Sequence, residues 1–258
     1  GYDRSDHEKG KFGASIKNAK GSDLAIRFPF FAERNKAMLT TKDLFDLTHT
    51  LAAPLLARTQ YPWEALDELK NFILSVGESL PQEEYISPAP GVWIARDAKA
   101  APTAYLGAPC IIGPGAEVRH GAFIRGSALV GAGAVVGNST ELKNVILFDG
   151  VQTPHYNYVG DSILGYKAHL GAGAVTSNVK SDKTLVVVRC GGEALETGRK
   201  KLGAMVGDFA EVGCNSVLNP GTVLGRRASV YPLSSVRGTV PENFIFQGTR
   251  GMVPREER

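Results

Sequence analysis

The sequence predicts a mainly β protein built as a parallel β-helix, and three observations carry that prediction. Between Ile94 and Val240 an aliphatic or small residue returns every six residues, at 94, 100, 106, 112, 118, 124, 130, 136 and 142. Glycine often follows it, as in Leu106-Gly107, Ile112-Gly113, Val130-Gly131 and Val136-Gly137. The phase then comes back at Leu164-Gly165 and Leu170-Gly171, and again from Val206-Gly207 to Val236. Six residues are too few for an independent hairpin or helix. Each unit must therefore be one side of a coil whose apolar residue stacks on the coil before it. Three units make one triangular turn, with short flat strands as sides and with glycine or small residues at corners where positive φ is cheap.

The elements follow in order. Residues 1–38 are polar, contain Lys and Gly, show no period and read as an N-terminal arm. Residues 39–90 form a helical segment and connector. Leu44, Leu47, Leu51 and Leu55 follow three- and four-residue steps, with Thr40 or Thr41 as N-cap and Pro54 as an interruption. A second helix is predicted near Trp63–Leu74, after Tyr61-Pro62, with Trp63, Leu66, Leu69 and Ile73 on one face. These helices are expected to cover the open N-terminal end of the solenoid or a junction between subunits, because a β-helix leaves unpaired edges at its ends. The β-helix itself spans 91–245, with an insertion at 178–205. There Leu185–Val188 and the Gly191-Gly192 pair predict a hairpin arm. Residues 246–258 form a C-terminal tail.

Composition narrows the function. Charged residues make up 21% of the 258, and the net charge is only +3, which argues against binding to nucleic acid. The three cysteines have neither CxxC spacing nor an even count; Cys110 falls within a hexad and is expected as a buried thiol. No apolar run reaches the length of a membrane span and no signal-peptide core is visible, so a cytoplasmic location and no membrane partner are expected.

The chemistry is expected where the period slips. From Leu142 the units become Leu147, Thr153, Val159 and Leu164, five-residue steps mixed among sixes. Inside the slip lie His155 and Tyr158-Val159-Gly160-Asp161, followed by Leu170-Gly171-Ala172-Gly173 and Asn178. This run resembles the acetyltransferase half of the bifunctional UDP-N-acetylglucosamine pyrophosphorylase/glucosamine-1-phosphate acetyltransferases, whose pocket reads His-x-x-Tyr-[Leu/Val]-Gly-Asp, then Leu/Ile-Gly-Ala-Gly, then Asn. The register extends backward without a gap to Lys143 and Arg125, where that family keeps a lysine and an arginine. The resemblance is close over about residues 120–180 and generic over the rest of the solenoid.

The resemblance implies a left-handed β-helix, a homotrimer with each pocket between two subunits, acetyl-CoA as donor and a sugar 1-phosphate amine as acceptor; no metal is expected, for the histidine spacing given below. His155 is the candidate catalytic base, because an attacking amine must lose a proton to a group that titrates near neutrality. Arg125 and Lys143 are eighteen residues apart, about one coil, and are expected to stack on one face and bind the phosphate. Tyr158 is expected to donate its hydroxyl to the phosphate or the ring oxygen, Asn178 to bind the sugar or orient the amine, and Ala172 and Cys214 to contact the donor, with a backbone N–H near Ala172 facing the thioester oxygen. Three departures bear on the acceptor. His169 stands where the family has Asn, so it is a candidate acceptor contact or alternative base. Val179 replaces an aromatic residue, and Asn178-Val-Lys-Ser-Asp-Lys183 replaces the family's Asn-Tyr-Asp-Gly loop, so that the family's further phosphate lysine corresponds to Lys180, to Lys183 or to neither.

The second half of the solenoid also resembles the domain appended to sugar-1-phosphate nucleotidyltransferases. No glycine-rich nucleotide loop precedes Ile94, so nucleotidyl transfer is not expected of this chain alone. Two alternatives stay open: a non-catalytic or regulatory solenoid, and a metal-dependent hydratase using His120, His155 and His169. The latter is disfavoured because separations of 35 and 14 residues do not correspond to whole coils of about 18.

Overall fold

The computed structural model describes residues 39–256. The arm expected over 1–38 lies outside the described residues. Short parallel strands stack coil upon coil into a three-faced β-solenoid. The first face runs from Val92–Ala95 through Cys110–Ile112, Ala128–Val130 and the second halves of Glu141–Leu147 and Tyr158–Leu164 to Ala204–Val206, Thr222–Leu224 and Thr239–Val240. The second carries Glu117–Val118, Val135–Asn138, Gln152–His155, His169–Leu170, Glu211–Val212 and Ser229–Val230. The third carries Tyr105–Leu106, Phe123–Ile124, the first halves of the two long strands, then Val175–Thr176, Val217–Leu218 and Ser235–Val236.

The hexad residues point inward. Ile112, Val130, Leu147 and Leu164 from the first face meet Val118, Val136 and Leu170 from the second and Ile124, Leu142 and Val159 from the third, all buried. The slip in the period is a change of coil length. Ile124 pairs with Leu142 eighteen residues on, whereas Leu142 pairs with Val159 and Leu147 with Leu164 only seventeen on. The shortened coil places Thr153 at an inward position, where its hydroxyl donates to the Val135 carbonyl at 3.0 Å.

The glycines after the hexad residue have a different reason from the one expected. Positive φ occurs at other corner positions, including Ser127, Ser139, Asn144, Tyr156 and Asp161. Gly131 shows what the consensus glycine does instead: a Cβ there would lie 2.6 Å from the backbone of Phe148 and Asp149 in the next coil. Close stacking of coils, not left-handed backbone, excludes a side chain.

The helical segment is more broken than the periodicity suggests. It comprises Thr41–Leu44, a 3₁₀ turn at Leu47–His49, Ala53–Leu56, a 3₁₀ stretch at Pro62–Asp67 and the ten-residue helix Leu69–Glu78. Thr40 caps the first through a reciprocal bond with Asp43, and Pro54 falls in a first turn, where its missing N–H costs nothing, rather than interrupting a helix.

These helices do not cover the end of the solenoid. They lie along its first face, with Leu69–Glu78 against the strands at 110–112, 128–130 and 145–147. Phe45 meets Phe148 at 5.1 Å between centroids, and His49 stacks on Tyr166 at 3.6 Å. The cause is the outward column of that face: Ile111, Leu129, Ile146, Ile163, Met205 and Val223 are apolar and buried. A sheet face of that composition must be covered.

The helices cover its first coils and the insertion covers the last ones. Val187–Cys190 pairs antiparallel with Glu193–Glu196 around Gly191-Gly192 and packs on the strands at 222–224 and 239–240. A salt bridge from Arg199 to Asp67, 2.6 Å, joins the two covers.

An antiparallel strand closes the first face at its N-terminal end and another closes the second face at its C-terminal end. Tyr85–Ala89 pairs with Val92–Ala95, and Met252–Pro254 turns back on Phe244–Phe246, so the segment read as a tail is part of the sheet. The Cys110 thiol is buried inside the solenoid, which pushes its pKa up to about 12.

Candidate functional site

Where the second face turns into the third, successive coils present one residue each in a single column. His155 pairs with Asn138, whose amide donates to the His120 carbonyl at 3.0 Å. On the other side the Gly173 N–H donates to the His155 carbonyl (3.0 Å) and the Asn215 N–H to that of Ala172 (2.8 Å). His155, Ala172 and Cys214 therefore occupy adjacent coils, and the side chains of His155 and Cys214 are exposed. Among the described residues the N–H groups of Ala172 and Cys214 donate to nothing.

Buried Asn157 fixes this corner. Its oxygen accepts from the His155 N–H at 3.2 Å, and its amide donates to the carbonyls of Gly171 (2.9 Å) and Ala174 (3.0 Å) in the following coil.

A groove of about 1500 Å³ opens beside the column, along the outer surface of the second face. His169, Cys214, Arg227, Tyr231 and Arg255 are among its lining residues. His169 neighbours Gln152 and Glu211 in the sheet. The structure thus puts His169 on the Cys214 side, away from Arg125, Lys143 and Asn178, because fourteen residues after His155 the chain has not yet completed a coil. His120 and His155 do share a column: an eighteen- and a seventeen-residue coil together make thirty-five residues two full turns. Asn138 stands between them, and among the described residues no group of three His, Cys, Asp or Glu could hold a metal ion.

The expected acceptor residues gather at the far edge of the third face. Arg125 and Lys143 lie on adjacent coils, as the Ile124 and Leu142 pairing requires. Neither is a free cation. Arg125 donates to Glu141 at 2.8 Å, which holds its guanidinium pKa above the ordinary value. The Lys143 ammonium donates to Asp161 Oδ1 at 2.8 Å.

Asp161 is only 2% exposed and accepts two further bonds, from Asn144 Nδ2 at 2.9 Å and from Asn178 Nδ2 at 2.6 Å. Asn178 also donates to the Tyr158 hydroxyl at 3.1 Å, and burial pushes the Tyr158 phenol pKa up. Gly160 is the floor of this bracket: a Cβ there would stand 2.5 Å from the Tyr158 hydroxyl and 2.8 Å from Asn178 Nδ2. Lys183 is exposed in the loop that follows and joins none of these contacts.

The column and the bracket therefore flank one strand. Tyr158 follows His155 by three residues, across the corner that Tyr156 turns at φ 52°. An exposed imidazole, unengaged backbone N–H groups and a groove stand at one edge; a hydroxyl, an amide and an ammonium with unused donors stand at the other. Such a set can move a proton, stabilise charge on a carbonyl oxygen and hold a polar ligand by directed hydrogen bonds. Reading the sequence missed Asn157, Asp161 and Glu141 as site-forming groups. The signal for Asp161 was present, since the quoted motif ends on it; the burial of Asn157 follows from the stacking of coils, which the hexad does not carry.

Residues 90–192 match the family model described as the GMPPB C-terminal domain. A bifunctional sugar-1-phosphate nucleotidylyltransferase/acetyltransferase of Sulfurisphaera tokodaii is 34% identical over 109 residues, covering 42% of this chain and 27% of that protein. The bifunctional protein GlmU of Methanococcus maripaludis is 32% identical over 111 residues, with 43% and 27% covered. The chain spans about a quarter of the length of these curated relatives. Among solved structures, the UDP-N-acetylglucosamine acyltransferase of Campylobacter jejuni aligns over 65% of this chain and 73% of its own at 14% identity and a TM-score of 0.38. The resemblance that the motif suggests is matched by these nucleotidylyltransferase/acetyltransferase relatives over 109 and 111 residues of the chain.

Proposed function

We propose that this chain is a hexapeptide-repeat acetyltransferase that transfers the acetyl group of acetyl-CoA to the amine of a sugar 1-phosphate resembling glucosamine 1-phosphate. The observation that carries the reading is the column of His155, Ala172 and Cys214 beside a long groove, one strand away from the Tyr158, Asn178 and Lys143 bracket. The likeness to bifunctional nucleotidylyltransferase/acetyltransferases supports it.

The groove suits an elongated donor, because it combines apolar walls such as Val230 and Ile245 with the cations Arg227 and Arg255. Bound acetyl-CoA would supply the activated acyl group. His155 would take the proton that the amine loses as its nitrogen attacks, and would return it to the departing thiolate. The Ala172 or Cys214 N–H would stabilise the charge that develops on the carbonyl oxygen. Lys143, Tyr158 and Asn178 would hold the acceptor. Its phosphate would meet Arg125 most easily, because an exposed pair such as Arg125–Glu141 is screened by solvent and opens at little cost.

A homotrimer completes the site in this reading. The first face is occupied by the chain's own helices and hairpin, so the faces free to meet a neighbour are the two that carry the column and the bracket. A second reading, a solenoid that binds without turnover, is favoured by one observation: both candidate phosphate cations are already paired with acids.

Purified protein incubated with acetyl-CoA and a panel of amino-sugar phosphates separates the two readings. Thiol release dependent on an amine supports the transferase, and its absence with every amine favours the binding solenoid. Light scattering during the same work should give a trimer; an active monomer removes the shared pocket.

A further inference from the structure

Asp161 collects more of the candidate site than any other group, and neither the family motif nor the general chemistry of acyl transfer gives it a task. Its carboxylate is buried, an arrangement that is costly unless the charge is paired and its remaining lone pairs are used. Here both conditions are met by residues of the acceptor bracket: Lys143 Nζ at 2.8 Å, Asn144 Nδ2 at 2.9 Å and Asn178 Nδ2 at 2.6 Å. Asp161 stands in the left-handed region at φ 48°, which turns the chain just after Gly160 and aims the carboxylate back at these three donors.

An ammonium has three N–H donors. Asp161 takes one of Lys143, fixing the long side chain while leaving the others for a ligand; the side chain is 31% exposed. Asn178 is oriented in the same way and in turn donates to the Tyr158 hydroxyl.

We infer that Asp161 is a positioning residue for the acceptor: it holds the Lys143 ammonium and the Asn178 amide, and through Asn178 the Tyr158 hydroxyl, in the arrangement that binds the acceptor's oxygens. This rests on the acetyltransferase reading. It also sets the character of the site. With Arg125 matched by Glu141 and Lys143 by Asp161, the bracket is close to neutral and recognises oxygen atoms by direction rather than by net charge.

The test uses Asp161→Asn, since asparagine tolerates the same φ and nearly the same shape. Reductive methylation of Lys143, followed by mass spectrometry of its peptide, should run several-fold faster in the variant once the ammonium is released. The acceptor KM should rise about tenfold, with kcat and the acetyl-CoA KM within about twofold. In a Lys143→Met background the same substitution should raise the acceptor KM by less than half as much.

An unchanged methylation rate overturns the positioning role, and so does a lowered acceptor KM, which would show that Asp161 merely competes with the ligand's phosphate. Faster methylation with an unaltered acceptor KM confines Asp161 to the fold and also overturns the proposal. If the parent releases no thiol with any amine, the acetyltransferase reading fails, while the methylation rates still decide whether Asp161 holds Lys143. Should Asp161→Asn not fold, the parent alone decides: Lys143 must methylate several-fold more slowly than exposed Lys183, and equal rates overturn the inference.

Discussion

The first face of the solenoid and the other two share the same interior and differ in what they show outside. In the coil that begins at Cys110, the first face presents Ile111 outward and the second presents Glu117; inward, both present an aliphatic residue, Ile112 and Val118. Ile111 is fully buried beneath the helix Leu69–Glu78, whereas Glu117 reaches solvent and pairs with Arg119. One column of side chains therefore decides whether a face of this solenoid becomes hydrophobic core or working surface. The hexad builds the coil, and the residue just before the hexad position assigns its task.

The largest effect expected from this contrast is on catalysis. His155→Ala removes a group from an open corner that supports no packing, so turnover should fall by roughly 10²–10⁴-fold with the thermal midpoint unmoved. Near-parental turnover with the best acceptor would break the assignment of the open faces to chemistry. If His169→Ala alone abolishes turnover, the base lies in the groove instead.

A second comparison sharpens the energetic side. Ile111→Ala opens a cavity under the helices and should cost about 2–5 kcal/mol in urea unfolding. Glu117→Ala, at the equivalent outward position on the second face, should stay within about 0.5 kcal/mol. Similar costs would mean that the helices are only loosely applied.

The smallest effect concerns the corner where the cover is fastened. Asp208 accepts the Asp46 N–H at 2.7 Å and the Tyr166 N–H at 2.8 Å, and burial holds its carboxyl pKa above the ordinary value despite both bonds and Arg226. A raised folded value means that the contribution is fully present below the unfolded pKa, about 3.9, and is lost as pH rises through the folded one. The thermal midpoint of the parent should therefore gain on that of Asp208→Asn as the pH is lowered from 7 towards 4. A gap that narrows instead would show that Arg226 and the amides outweigh burial.

The solenoid was legible because its signal is local: a six-residue repeat needs no knowledge of distant contacts. The covered face was legible in principle. Ile111-Ile112, Leu129-Val130, Ile146-Leu147, Ile163-Leu164, Met205-Val206 and Val223-Leu224 are apolar pairs that recur once per coil, a period three times the one that was read. The stacking of Arg125 on Lys143 followed from eighteen-residue spacing. The acid on Lys143 was legible by the same spacing, since Asp161 follows it by eighteen residues; Glu141, sixteen residues after Arg125, was not. His169 was placed by motif alignment with the acceptor residues, and alignment does not say on which face a position falls.

The two antiparallel strands at the ends of the ladder bear on what a crowd of these molecules can do. A stack of parallel strands is an open template, and another copy could add to it indefinitely. Here the terminal strand on the first face contains Pro88 and the one on the second face ends in Pro254, so each offers a reversed, short edge with a missing donor. Growth along the solenoid axis therefore finds no matching edge on the first face at one end or on the second face at the other; among the described residues only the two-residue strands Lys99–Ala100, Tyr105–Leu106, Ser235–Val236 and Thr239–Val240 keep a parallel open edge.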